Sequence, residues 1–210
     1  MGVRVPYDKL KQDVKQIFLN LGLTEEKAEI CTAVHIQSSA DGVESHGLNR
    51  IPRFVEYVQK GWINLEGKGW VNFKGEPQLA GAKGAVENYD GQLGIGITNS
   101  LFCADRAVEL AKKHGIGCVA LKNTTHWMRG ATYVWKMAEA GFMGMSWINA
   151  ESCMPLWGSD KRSVGNNPFC MAIPREDGPL ILDMAMSLYA YGKLGVYRLA
   201  GKQLPCPGGF

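Results

Sequence analysis

"IGCVALKNTTHWMRGATYVWKMAEAGFMGMSWIN", residues 116–149, decides the fold class. Its opening run, IGCVALK, is short and almost continuously apolar, the signature of a buried strand. After a polar break, ATYVWKMAEA carries apolar residues at helical spacing, and MGMSWIN then returns to a strand-like run. Strand, helix and strand in that order predict an α/β architecture. Working outward, Ile97, Leu101, Ala104, Val108 and Ala111 mark a helix upstream, while PFCMAIP (168–174) and PLILDMA (179–185) predict further strands downstream.

The first third of the chain follows a different pattern. Leu10, Val14, Ile17, Phe18 and Leu21 recur at helical spacing, and Thr24 is placed to cap a second helix opened by Glu25 and Glu26. A third helix has the stripe Ile51, Phe54, Val55 and Val58, with Pro52 in its first turn and Gly61 where a C-terminal cap is expected. The change of pattern sets an expected boundary near residue 75, with an N-terminal helical part at 1–75 and an α/β part at 76–210. The final residues, GKQLPCPGGF, neither complete a helix nor resemble a polar tail, so the α/β part reads as incomplete at its C-terminus.

Composition narrows the function classes. The chain of 210 residues is 46% hydrophobic and 20% charged, which describes a folded globular protein with a sizeable core. Its net charge of +3 is dispersed, with no basic run to track a phosphate backbone, so nucleic acid is not an expected partner. No stretch has the apolar length of a bilayer span or a signal sequence, and a cytoplasmic protein without membrane association is expected. The six cysteines, at 31, 103, 118, 153, 170 and 206, form no C-x-x-C pair and read as small buried hydrophobes. No metal site is expected.

Familiar catalytic motifs are missing. The glycines of GQLGIG (91–96) run G-x-x-G-x-G, not G-x-G-x-x-G, and no buried strand is expected to lead into them, which argues against a Rossmann fingerprint. GMSWI lacks the second glycine of a nucleophile elbow, and there is no P-loop or H-E-x-x-H.

Four histidines remain. His35 falls at helical spacing from Ala28 and Cys31 and reads as a packed histidine, and His114 as a helix C-terminal residue favoured by the macrodipole. His46 and His126 differ, because each lies between regular elements and close to an arginine, in SHGLNR and THWMRG. An imidazole can protonate a carbonyl oxygen while a guanidinium grips a carboxylate with two prongs, a pairing suited to a 2-oxo acid. Local hydrogen bonding is the alternative for both. Asp183 ends the apolar run LILD, where a carboxylate needs a partner: a backbone or helix N-terminus on one reading, a histidine or cofactor on the other. GSDKRSVGNNPF (158–169) is a loop that either cradles phosphate or simply turns.

Taken together, VESHGLNRIPRF (43–54), HGIGCVALKNTTHWMRG (114–130), GSDKRSVGNNPF (158–169) and LDMAMSLYAYGKL (182–194) resemble the malate/L-lactate dehydrogenase family that lacks a Rossmann fold. The resemblance implies an N-terminal helical part, an unusual α/β NAD(P)-binding part and a homodimer. It also implies NADH as cofactor, with NADP left open, and a small-molecule oxo acid as substrate. HWMRG points to the branch acting on open-chain oxo-sugar acids, with a malate- or lactate-type dehydrogenase and an inactive remnant as the alternatives. Carried over by position, the proton donor falls on His46, with Ser45 and Arg50 beside it and His126 and Arg129 as further substrate-binding candidates. Asp183 matches an acid with a catalytic or cofactor role, and Pro179, Leu180, Ile181, Leu182, Asp183, Met184 and Ala185 form the expected cofactor-contacting segment.

Overall fold

The computed structural model describes residues 4–60, 63–64 and 71–206. They form two compact units, 1–129 and 130–210.

In the first unit, α1 (Tyr7–Asn20) and α2 (Glu25–Ala40) pack together, followed by two single turns of 3-10 helix at Glu44–His46 and Leu48–Arg50 and by α3 (Ile51–Gln59). Val14 and Phe18 of the expected stripe are buried, whereas Ile17 lies on the solvent side at 37% exposure. The Thr24 side chain accepts from Lys27 N–H, as its position predicts. Pro52 sits in the first turn of α3, where no backbone hydrogen bond is lost; the C-cap expected at Gly61 lies outside the described residues. Two short parallel strands follow, β1 (Ile63–Asn64) and β2 (Val71–Asn72).

Next, β3 (Gln78–Lys83) pairs antiparallel with β4 (Val86–Gly94), and α4 (Gly96–His114) carries the chain over to β5 (Cys118–Thr124), parallel to β4. Val71, Phe73, Ile95 and Ile97 join Val14, Phe18, Leu23 and Ile36 in one core. Complete burial of a side chain such as Phe18 is worth about 1.5–3 kcal/mol. By compactness the chain divides at Arg129/Gly130. A composition shift reports local structure, but a shared core is made by contacts distant in sequence.

The second unit comprises α5 (Ala131–Glu139), β6 (Gly144–Trp147), the short hairpin β7 (Met154–Pro155) with β8 (Arg162–Val164), then β9 (Phe169–Ile173), β10 (Leu180–Met184) and α6 (Tyr191–Leu199). β9 is the central strand, antiparallel to both β6 and β10. α5 packs against these three strands. Cys170 and Ala172 of β9 are fully buried, while the residues alternating with them share the opposite face with Met145, Trp147, Leu182 and Met184, exposed by 52%, 66%, 40% and 40%.

Two expectations are corrected by this fold. The runs IGCVALK and LILD do form strands, but β5 and β10 are largely exposed, because each has a face that nothing among the described residues of its unit covers. The cysteines are all free, yet Cys118 and Cys206 are exposed. Among the described residues no helix is long and apolar enough to cross a membrane.

Candidate active site

The site in the first unit starts from α2. Asp41 ends that helix as its C-cap, and the chain then turns through the two 3-10 segments that hold Ser45, His46 and Arg50. Gly47 is required there by close approach: a Cβ would lie 2.0 Å from Ser39 Oγ, the same hydroxyl that accepts from Leu48 N–H at 2.9 Å. The histidine segment is thus clamped to the end of α2.

The second strand of the site comes from β5. Contrary to the sequence expectation, a strand with alternating burial, β4, does run into GQLGIG, and α4 begins at Gly96. The glycines have a packing role. A Cβ on Gly96 would meet Thr125 O at 2.2 Å and His126 O at 2.5 Å, and Gly96 N–H donates to Thr125 Oγ1 at 2.8 Å. Asn99, fully buried on α4, donates to Gly91 O and Thr124 Oγ1, each at 3.0 Å. These contacts fix the backbone of the loop that presents His126.

His46 and His126, eighty residues apart, stack with ring centroids 5.8 Å apart and planes inclined by 27°. Ser45 Oγ is 2.9 Å from His46 Nδ1, and Met128 N–H donates to His126 Nδ1 at 2.9 Å. The latter bond depends on Met128 adopting φ = 66°, an unusual conformation for a side chain of that size. Arg129 donates to Asp41, whose other oxygen accepts from Gln37 Nε2 at 2.8 Å.

The electrostatics follow from this crowding. Desolvation, then His126, Arg50 and Arg129, push His46 down to about 3. His126 is lowered to about 4 by desolvation of its ring and by Arg50 and Arg53, although the residue as a whole is exposed to solvent. Burial disfavours the charged form of Asp41, but the hydrogen bonds from Arg129 and Gln37 outweigh it and hold the carboxyl below its ordinary range. Such a site has neutral imidazoles beside guanidinium groups, and it favours an anion.

Five expected site residues, Ser45, His46, Arg50, His126 and Arg129, therefore belong to one cluster. Asp41, Gln37, Met128 and Gly96 support it and had no motif to reveal them; only G-x-x-G-x-G gave a signal, read there as a missing fingerprint. His35, by contrast, is a packed histidine, 3% exposed, whose Nδ1–H donates to Cys31 O at 2.7 Å. His114 ends α4, as its position predicts.

Asp183 and the segment 179–185 lie in the second unit. The Asp183 carboxylate accepts from Ala131 N–H at 3.3 Å, at the N-terminus of α5, and from Cys170 Sγ at 3.2 Å. This is the helix N-terminus reading of the residue. On the other face of β10, Leu182 and Met184 line a cleft of about 590 Å³ with Trp147, Phe169, Asn149 and Asn167. The walls of this cleft are mostly apolar, and of the segment 179–185 Leu182 and Met184 line it. GSDKRSVGNNPF supplies the turn and the second strand of the β7–β8 hairpin and the approach to β9. Among the described residues no group of three His, Cys, Asp or Glu side chains could hold a metal ion.

The sequence pattern of the malate/L-lactate dehydrogenases matches residues 5–210, and the chain belongs to that family. It is 41% identical to 2,3-diketo-L-gulonate reductase of Citrobacter koseri, over 99% of this chain and 60% of that protein. The Escherichia coli O1:K1 reductase of the same name is 39% identical with the same coverage. The chain thus spans about 60% of the length of these relatives. Malate dehydrogenase from Pyrococcus horikoshii superposes with a TM-score of 0.84 at 31% identity, covering 91% of this chain and 53% of that one. For malate dehydrogenase from Entamoeba histolytica the TM-score is 0.88 at 27% identity, covering 97% and 55%. The family and these relatives are oxidoreductases acting on hydroxy and oxo groups.

Proposed function

We propose that this chain carries the substrate-binding and proton-donating residues of a reductase that uses NADH to convert an open-chain oxo-sugar acid, 2,3-diketo-L-gulonate, to 3-dehydro-L-gulonate. The observation that carries the reading is the stacked His46–His126 pair with Arg50 and Arg129 beside it. The relatives named for that reaction support the substrate.

On this reading the substrate carboxylate is gripped by Arg50, with Arg129, held by Asp41, as the second guanidinium. Fixing the acid end orients the ketone, which converts an encounter into a positioned reactant. His46 donates the proton to the ketone oxygen as negative charge develops there, and Ser45 keeps its ring in register through Nδ1. His126 offers its second nitrogen to the substrate as a hydrogen-bond donor, since its Nδ1 is occupied by Met128 N–H.

The family is one of nicotinamide-dependent dehydrogenases, and NADH supplies the hydride when bound. In the second unit Pro179–Ala185 is assigned to contact it, with Leu182 and Met184 as cleft wall. Asp183 is assigned to holding that segment through α5, in place of a direct part in the chemistry. A cytoplasmic homodimer is the working form in this reading. Steady-state oxidation of NADH with 2,3-diketo-L-gulonate, against malate-, lactate- and pyruvate-type substrates, tests it. Preference for a small 2-hydroxy acid, or for NADPH, would overturn the assignment of substrate or cofactor, and a folded chain inert with all of them would overturn the activity.

A further inference from the structure

A third guanidinium, that of Arg53, belongs to the surroundings of the histidine pair, and neither the proton donation nor the carboxylate grip uses it. Arg50 closes the second 3-10 turn and leads directly into α3. Residues three and seven places further along a helix share a flank, so Arg53 and Tyr57 continue the line that starts at Arg50. Ile51, Phe54, Val55 and Val58 pack against the core, and Glu56, on the other flank, is engaged by Lys60. Arg53 is one of the two charges that act on His126, and it is not among the groups acting most strongly on His46. It therefore stands on the His126 side of the pair.

The side chain is held in a defined pose. Its Nε donates to the Tyr57 hydroxyl, and its Cζ lies 5.3 Å from the centre of the Tyr57 ring, where the ring quadrupole attracts the cation. A guanidinium carries five N–H donors in a fixed fork, so the terminal nitrogens keep four after Nε is used. Arg53 is exposed, and among the described residues no carboxylate lies within ion-pair distance of it. Such a fork can only donate, and it selects ligand oxygens that accept. From Arg50 to Arg53 the helix advances by about one turn, about 5.4 Å, the reach of a few carbon atoms along an open chain. Beyond its carboxylate and the reacting ketone, an open-chain diketo-sugar acid carries a second ketone and a row of hydroxyls. Pyruvate and lactate end in a methyl group.

We infer that Arg53, held by Tyr57, determines specificity by binding the oxygen-rich tail of an oxo-sugar acid whose carboxylate sits at Arg50. The inference deepens the proposed function and rests on its carboxylate grip. Discrimination comes from hydrogen bonds to a charged donor, which a short 2-oxo acid has no oxygens to make. The pull of net charge does not discriminate, because every carboxylate feels it.

Two anions serve as probes: oxamate, an unreactive carboxylate analogue of a 2-oxo acid with no tail, and L-gulonate, a sugar acid with the full tail and no ketone. Each is titrated calorimetrically into the whole chain without NADH, at about 0.15 M salt, where exposed charges are screened beyond about 8 Å. Arg53→Met keeps the apolar stem and removes the fork. It is expected to weaken L-gulonate about tenfold, the usual worth of a hydrogen bond to a charged group, and oxamate by less than about twofold. Tyr57→Phe keeps the ring and loses the hydroxyl that holds Arg53, and is expected to weaken L-gulonate alone, by about threefold. Equal weakening of both anions by Arg53→Met, weakening of neither, or a parent that binds oxamate but not L-gulonate would overturn this inference and leave the proposed carboxylate grip standing. A parent shown folded by circular dichroism that binds neither anion would overturn both.

Discussion

Arg129 reaches across 88 positions of sequence to the Asp41 carboxylate at the C-terminal end of α2, joining the two segments that supply the histidine pair. Its side chain is 15% exposed and that of Asp41 31%, so the pair is only partly shielded from water and its value for stability is modest. Its use is positional: it fixes the guanidinium beside His46. Asp41→Asn is expected to leave the melting temperature within a few degrees of the parent while weakening oxamate binding severalfold, as calorimetry would measure. Equal losses of affinity and stability would mark a structural pair only.

His46→Gln is expected to lower turnover by about 100-fold to about 10,000-fold, the usual worth of a general acid, with NADH affinity retained. Rates measured across pH, alongside fluorescence titration with NADH, check this. A variant within a few-fold of the parent at every pH would remove His46 from the acid role.

Arg50→Lys keeps the charge but loses the planar fork that grips a carboxylate. The expected outcome is a raised KM for oxo acids with little change for neutral ketones. An equal loss on both classes would assign the arginine to structure.

Asp183 caps α5 from β10, so Asp183→Ala is expected to cost about 1 kcal/mol of stability, the typical loss for a removed helix N-terminal acceptor. Asn at the same position retains an acceptor oxygen and should recover most of it. Urea unfolding distinguishes the two, and calorimetry with NADH shows whether loosening the segment also weakens the cofactor.

Stability should fall in mild acid. His35, His46 and His126 are lowered from 6.5, the first by burial and the others to about 3 and about 4. In the unfolded chain they bind protons at higher pH than in the folded one, so their contribution is fully present above about pH 6.5 and is lost as pH falls toward the folded values. The urea midpoint is expected to drop between pH 7.5 and 5, and the double variant His46→Gln with His126→Gln to flatten that dependence. An unchanged slope in the double variant would remove the pair from this effect.

Of the fold, the residues whose neighbours in sequence define them were the legible ones. Helical spacing placed α1, α2, α3, α4 and α5, and apolar runs placed β5, β6, β9 and β10. The hairpin of β3 and β4 gave no such signal, because β4 alternates buried Glu87, Tyr89 and Gly91 with exposed residues and so lacks an apolar face pattern. Glu87 is paired by Arg106, at 2.6 and 2.7 Å, a contact from α4 that no local pattern announces.

For the site, the sequence by itself determined the chemistry available: His46 beside Ser45 and Arg50, His126 beside Arg129, and the family those motifs define. Only the tertiary structure decided how these groups act on one another. It stacked two imidazoles from positions 46 and 126, tied Arg129 to Asp41, and gave one histidine a backbone donor and the other a rotatable hydroxyl. It also turned the glycines of GQLGIG into the packing seam behind His126 and gave Asp183 to the end of α5. The physical reason is that side-chain type fixes which protons and charges a chain carries, whereas protonation and charge pairing depend on distances of a few ångströms between segments far apart in sequence.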